Sequence, residues 1–145
     1  MSEQTTSSIV VAAEPAAVMA VIADFAAYPE WAKGVKRTEI QGVRPDGRAE
    51  RVHFVLDVAP IKDSYTLAYR WDGDRRVTWS LAESQILRAL DGSYELRTVP
   101  GGTEVTYQLV LDLNIPIIGM LKRKGEKVII ETALAGLKKR VESLR

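Results

Sequence analysis

The stretches TEVTYQLVLDL (residues 103–113) and IETALAGLKKRVESL (residues 130–144) decide the fold, because the spacing of apolar residues changes between them. In the first stretch Val105, Tyr107 and Leu109 alternate with polar residues, which is the period of a half-buried strand. In the second, apolar residues recur at positions 130, 134, 137, 141 and 144, along one face of a helix. We therefore expect a last strand ending near Leu113 and a helix from about Ile115 to about Leu144.

The two-residue period also extends back over most of the chain. Alternating runs cover residues 51–59, 64–71 and 76–81, and turn signals occur at Pro45-Asp46-Gly47, Asp72-Gly73-Asp74 and Pro100-Gly101-Gly102. Short connections of this kind join antiparallel neighbours and leave one face of the sheet in water. Asp91-Gly92 interrupts a further extended stretch and indicates a bulge.

The N-terminal part predicts one strand and two short helices. Ser7–Ala12 is rich in β-branched residues, and Glu14-Pro15 then opens a helix whose apolar face includes Val18, Ile22 and Phe25. Pro29 disfavours one continuous helix, so Ala26–Lys33 is expected to form a second short helix or turn. We expect residues 1–145 to form a single α+β domain, with residues 1–6 disordered.

Composition excludes several classes of function. The chain has 145 residues, one histidine, no cysteine and a net charge of +1. Disulfides, thiolate nucleophiles and metal-ligand spacings are absent from the sequence, as are glycine-rich phosphate-binding motifs, so we expect no metal and no cofactor. The balanced charge gives no reason to expect a nucleic acid partner.

The sequence carries neither a secretory signal nor an apolar run of the roughly 20 residues that a bilayer span needs. We therefore expect a cytoplasmic protein without integral membrane association. The basic run Lys122-Arg123-Lys124 and Lys127, near Leu121, fits either a solvated helix face or a membrane-surface or ribosome contact. The oligomeric state stays open.

A mismatch of widths predicts a cavity. The last helix is on the order of 42 Å long, and the last strand is roughly 40 Å long. The helix is only about 10–12 Å wide, so it cannot fill the concave face of a sheet of about seven strands. Space for an apolar small molecule follows from this geometry.

Five stretches carry a resemblance to a known superfamily: DFAAYPEW (24–31), YRWDG (69–73), VTWSL (77–81), LDGSYEL (90–96) and GTEVTY (102–107). In order and spacing the chain resembles the START-like (SRPBCC) superfamily, and most nearly its bacterial polyketide cyclase/dehydrase and lipid transport branch. The resemblance implies the helix-grip fold, in which a curved seven-strand antiparallel sheet with the order β-α-α-β6-α surrounds a long C-terminal helix. It also implies a hydrophobic ligand, while the same fold carries many unrelated functions.

Inward parity identifies the strand residues among the candidate ligand-binding residues, and the predicted helices add Trp31, Met120 and Leu121. Aromatic side chains dominate the set, and an apolar wall with a few polar handles is typical of ligand sites. The candidates are Trp31, Phe54, Leu56, Tyr65, Leu67, Tyr69, Trp79, Tyr94, Tyr107, Leu109, Leu111, Met120 and Leu121.

No catalytic residue can be assigned from the sequence. The strand parity of His53, which would otherwise be the obvious general base, places it on the wet face. In Val35–Gln41 either parity is open, so Arg37 or Glu39 faces inward in one of the two alternatives. The leading hypothesis is binding or transport of a lipid, polyketide or aromatic molecule. An aromatase/cyclase or dehydratase is the second hypothesis, and a protein- or ribosome-interaction module is the third.

Overall fold

The computed structural model describes residues 5–58, 61–113 and 119–144, with only the backbone at residues 58, 61, 62 and 119. These residues form seven strands and three α-helices, with a 3-10 turn at Phe25–Ala27 before α2. The elements are β1 (Thr5–Val11), α1 (Pro15–Ala23), α2 (Tyr28–Trp31), β2 (Val35–Val43), β3 (Ala49–Val58), β4 (Ile61–Asp72), β5 (Arg76–Ser84), β6 (Leu87–Val99), β7 (Gly102–Leu113) and α3 (Gly119–Ser143).

The strands form one antiparallel sheet in the order β1-β7-β6-β5-β4-β3-β2. Only β1 leaves its sequence position, crossing to pair with β7, while β2 to β7 follow one another as a meander. The helix α3 packs against β1 and β7. The predicted helix-grip architecture is thereby confirmed.

The stripe of α3 that faces the sheet is the one expected from its spacing. Ile130, Leu134, Leu137 and Val141 are each at most 3% exposed. The helix ends at Ser143, close to the predicted Leu144, and it begins at Gly119. The predicted start at Ile115 lies outside the described residues. Among the helices of those residues, none is both long and apolar enough to span a bilayer.

Glu126 fastens the start of α3 to the sheet. Its side chain is fully buried and accepts hydrogen bonds from the Leu111 amide (2.6 Å), the Thr5 hydroxyl (2.6 Å) and the Lys122 ammonium (2.7 Å). Burial alone raises the pKa of Glu126, but these hydrogen bonds outweigh it and hold that pKa below its ordinary value. One carboxylate therefore joins β1, β7 and α3.

The sheet separates between β5 and β6. The two strands pair only from Arg76–Glu95 to Trp79–Gly92, whereas β6 and β7 pair along nearly their whole length. Beyond Trp79 the amide of Leu81 donates to the Asp91 carboxylate (2.8 Å) instead of to a backbone carbonyl of β6. The gap that follows turns Leu87 and Leu90 of β6 towards the space beneath α3.

The parity of β2 is resolved by bulges. Thr38 faces inward and its hydroxyl donates to the Phe25 carbonyl (2.8 Å), while Arg37 and Glu39 are exposed. A register shift between the Val35–Leu56 and Arg37–Val55 pairs allows Val35 to face inward as well. At the other edge of the sheet, β1 begins at Thr5 and so includes Thr5 and Thr6.

Candidate ligand-binding cavity

A cavity of about 360 Å³ lies between α3, α2 and the inner face of the sheet. Its size falls within the range of small-molecule sites, roughly 300–1,000 Å³. It equals about twelve water molecules at roughly 30 Å³ each. Its wall is largely apolar, and side chains from β2 to β7 contribute to it together with α1, α2 and α3.

All five tyrosines of the chain line this cavity: Tyr28, Tyr65, Tyr69, Tyr94 and Tyr107. Their rings pack closely, with centroids 4.6 Å apart for Tyr94 and Tyr107. Burial raises the pKa of every one of them above the ordinary value of 10.0, and neighbouring tyrosines add to the effect in most cases. The hydroxyls are therefore neutral at physiological pH and are available as hydrogen-bond donors.

Four of these hydroxyls have no partner in the described part of the protein. Tyr28 donates to the Ile22 carbonyl (2.6 Å), but those of Tyr65, Tyr69, Tyr94 and Tyr107 make no hydrogen bond to a described residue. Among the described residues, Trp31 Nε1 is the one side-chain polar atom that is both fully enclosed by protein and without a hydrogen-bond partner. The four hydroxyl oxygens are therefore not fully enclosed and remain accessible from the cavity. Since a buried phenol normally finds a partner, the cavity presents four donors to whatever fills it.

Aromatic packing makes the wall rigid. Trp79 contacts Tyr94 and Tyr107, with ring centroids 5.3 and 5.6 Å apart. Phe54 stacks on Tyr65 at 5.4 Å. Such pairs stabilise one arrangement of the rings, so the positions of the hydroxyls are set before a ligand enters.

The indole of Trp31 lies against α3. A Cβ added at Gly136 would come within 3.3 Å of the Trp31 carbonyl and 3.5 Å of its ring, so a glycine at this position allows the close approach. Tyr28 packs on the other side, with its ring centroid 4.9 Å from that of Trp31. These contacts place α2 as one side of the cavity.

The mouth is marked by the lining residues that are themselves exposed to solvent. These are Lys33, between α2 and β2, and Val128 and Thr132 of α3. Among the described lining residues Lys33 is the one charged side chain, and it makes no ion pair or hydrogen bond with a described residue. The opening therefore lies between the α2–β2 connection and the middle of α3.

The structure places ten of the thirteen candidate residues on the cavity wall. They are Trp31, Phe54, Leu56, Tyr65, Leu67, Tyr69, Trp79, Tyr94, Tyr107 and Leu111. Leu109 has the expected inward parity but is fully buried away from the cavity, because α3 packs against β7 at this end of the sheet. Met120 and Leu121 are 77% and 57% exposed and lie off the wall, because their side of α3 faces solvent.

Eleven further lining residues were missed. Four of them, Val128, Ile129, Thr132 and Ala133, follow helical spacing beside the buried stripe of α3, and this second stripe was a usable signal. The shift of Val35 depends on a bulge of β2, and the exposure of Leu87 and Leu90 depends on the early end of β5–β6 pairing; neither leaves a periodic signal in the sequence. The others are Ile22, Tyr28, Ala32 and Lys33.

Carboxylate and imidazole groups are lacking on the wall as described. His53 lies across the sheet from the cavity, half-buried, with Nδ1 2.9 Å from the Thr66 hydroxyl. None of the lining residues is a histidine, aspartate or glutamate. In the described residues no group of three or more such side chains is arranged to hold a metal ion.

A model of the family described as polyketide cyclase/dehydrase and lipid transport matches residues 2–142. The START superfamily protein from Mycobacterium smegmatis superposes with a TM-score of 0.90 at 20% identity, covering 98% of this chain and 99% of that one. The Zhui aromatase/cyclase from Streptomyces sp. R1128 superposes with a TM-score of 0.76 at 17% identity, covering 98% and 94%. For a STAR-related lipid transfer protein from Xanthomonas axonopodis the TM-score is 0.67 at 16% identity, covering 96% and 85%. No curated protein sequence matches the chain. At these identities the likeness establishes the fold.

Proposed function

Because this chain belongs to the polyketide cyclase/dehydrase and lipid transport family, we propose that it binds or carries an apolar small molecule that bears several oxygen atoms. The observation that carries the proposal is the set of four tyrosine hydroxyls that have no partner among the described residues and lie in a largely apolar cavity. A plain hydrocarbon chain would leave these donors unsatisfied, whereas ketone, ester or phenol oxygens would accept from them. A cytoplasmic location is part of the proposal.

The pKa values argue against a tyrosine acting as a general base. A general base must be deprotonated near the working pH, and burial keeps all five tyrosines protonated. Lys33, the one charged residue among the described lining residues, is exposed at the mouth. The 360 Å³ cavity also counts against an interaction module with a solid core.

An aromatase/cyclase is the second candidate, and the same hydroxyls favour it. Four fixed donors can hold the carbonyl oxygens of a flexible poly-ketone so that an enol carbon of the chain meets a carbonyl carbon. The C–C bond forms as the enol O–H proton passes through water to the attacked carbonyl oxygen, which becomes a hydroxyl, so this is catalysis by positioning and needs no ionised residue. This candidate predicts that the protein changes the ratio of cyclised products from a synthetic poly-ketone. An unchanged product ratio would contradict the cyclase and leave binding or transport as the function.

The first experiment tests the cavity with an apolar fluorescent dye. Trp31 and Trp79 line the cavity, whereas Trp71 does not. Bound dye should therefore quench the fluorescence of Trp31 and Trp79. Measuring in a Trp71→Phe background removes the Trp71 signal. Ala133→Trp places an indole in the cavity and is expected to weaken dye binding at least tenfold. Ala135→Trp, on the exposed face of the same helix, is the matched control. Failure of the wild type to bind the dye contradicts a binding function.

The second experiment tests the oxygen atoms of the ligand. Native mass spectrometry of protein purified from its own host identifies the bound molecule. Tyr94→Phe and Tyr107→Phe each remove one hydroxyl and keep the ring, and about a fivefold loss of affinity is expected for an oxygenated ligand. Affinity for a hydrocarbon dye should stay the same. Extraction of a saturated hydrocarbon as the bound molecule argues against the role assigned to the hydroxyls. So does an equal loss of affinity for the oxygenated ligand and for the hydrocarbon dye.

A further inference from the structure

The first half of α3 exposes apolar side chains that nothing in the fold requires. Met120 is 77% exposed, and Leu121 and Val128 are each 57% exposed. Leu121, Lys124 and Val128 are spaced three and seven residues apart, so they lie on one side of the helix. We name the surface formed by Met120, Leu121, Lys124 and Val128 the mouth face, because Val128 also lines the cavity entrance.

Positive charge accompanies these apolar side chains. Lys122, Arg123, Lys124 and Lys127 follow one another at the start of α3, and the one acidic residue among them is Glu126. Glu126 is buried and paired with Lys122, Lys127 lies 3.9 Å from the exposed Glu131, and Arg123 has an interaction of its own. The uncompensated positive charge of this face therefore comes from Lys124. Lys124 makes no ion pair with a described residue, and neither does Lys33 across the mouth. The face is therefore apolar and cationic together.

From this combination we infer that the mouth face docks on an anionic lipid surface. A helix that presents aliphatic side chains among lysines lies in the interfacial region of a bilayer, with the aliphatic groups among the acyl chains and the ammonium groups at the phosphates. Met120 and Leu121 offer this contact without any rearrangement, because they are already in solvent. Docking in this orientation turns the cavity entrance towards the lipid.

The consequence for ligand exchange rests on the proposed function. An apolar ligand partitions into membranes, and a carrier whose entrance faces the bilayer takes up the ligand without passing it through water. Val128 belongs both to the docking face and to the entrance, so the two surfaces are continuous. The docking itself depends only on the helix face and is tested separately.

The test is flotation of the purified protein with vesicles of phosphatidylcholine alone and of an equal mixture with phosphatidylglycerol. We expect the protein to float with the anionic vesicles and to dissociate as salt is raised, because surface charge attraction is screened. Leu121→Glu should abolish flotation. Lys124→Glu should weaken it at least about fivefold, since one cation near an anionic surface contributes about that factor.

Two matched variants control for charge and exposure. Val43→Glu changes an apolar residue of 58% exposure on β2, and Lys139→Glu reverses a lysine about 22 Å further along α3. Both should float like the wild type. No flotation of the wild type, equal flotation with neutral vesicles, or equal loss in the control variants overturns the docking. Dye binding is measured on the same samples. Dye binding without flotation would contradict only the docking. Flotation without dye binding would contradict only the proposed function.

Discussion

Replacing Glu126 with glutamine tests whether one buried carboxylate holds the long helix on the sheet. The carboxylate accepts from the Thr5 hydroxyl on one oxygen, and from the Leu111 amide and the Lys122 ammonium on the other. Glutamine has nearly the same shape, but it offers one acceptor oxygen and no charge. The variant therefore removes the charge and one acceptor from the junction and creates no cavity.

The magnitude follows from what is left behind. The Lys122 side chain is only 14% exposed, so it loses its counter-ion in a largely desolvated place. Removing one partner of a buried pair costs about 3–5 kcal/mol, and a neutral acceptor recovers roughly 0.5–1.5 kcal/mol of that. We expect the free energy of unfolding to fall by about 2–4 kcal/mol. For a chain of this size that lowers Tm by about 5–15 °C.

The assay is urea unfolding at several pH values. The pKa of Glu126 in the folded protein lies below its ordinary value of 4.5. A depressed carboxyl pKa stabilises the folded state above the unfolded value and loses that contribution as pH falls through the folded value. The gap in unfolding free energy between the wild type and Glu126→Gln should thus be constant near neutral pH and narrow below about pH 4.5.

Glu131→Gln is the matched control because it changes the same residue type on the same helix. The carboxylate of Glu131 is exposed and lies 3.9 Å from the ammonium of Lys127. In both the Lys127–Glu131 and the Lys122–Glu126 pair, the glutamate follows the lysine by four residues. An exposed pair of this kind contributes at most about 0.5 kcal/mol. If Glu126→Gln is no less stable than Glu131→Gln, or the gap does not narrow in acid, the argument for the junction is wrong.

Three further predictions concern the sheet and its interior. Gly92→Ala would place its Cβ 2.5 Å from the Gln108 carbonyl oxygen and 2.7 Å from the Trp79 ring. The free energy of unfolding should therefore fall by about 1–3 kcal/mol, and tryptophan fluorescence should shift. A variant as stable as the wild type would contradict this close approach. Because the pKa of each buried tyrosine is raised, the unfolded chain ionises at a lower pH than the folded protein, and the folded state loses stability above pH 10. Tyrosinate absorbance should therefore appear together with alkaline unfolding and not before it. His53→Ala removes one hydrogen bond to the buried Thr66 hydroxyl, so stability should fall by about 1 kcal/mol while dye affinity is unchanged; a tenfold loss of affinity would place His53 in the function.

The sequence by itself determined the order of elements and which side of each strand is buried. Alternation along β7 and helical spacing along α3 are local patterns, and a strand's side-chain period of two leaves little freedom once one face is apolar. For that reason most of the predicted wall, including Tyr65, Tyr94 and Tyr107, lines the cavity. The same alternation placed His53 on the opposite face.

Only the tertiary structure decided which inward residues meet a cavity and which meet the helix. Leu109 and Leu111 share one parity on β7, yet Leu109 is packed in the core and Leu111 borders the cavity. Their difference depends on where α3 crosses the sheet, which Glu126 fixes through Leu111 and Thr5, residues distant in sequence. The bulges of β2 and the separation of β5 from β6 act in the same way, because each shifts which side chains reach the interior without leaving a periodic signal.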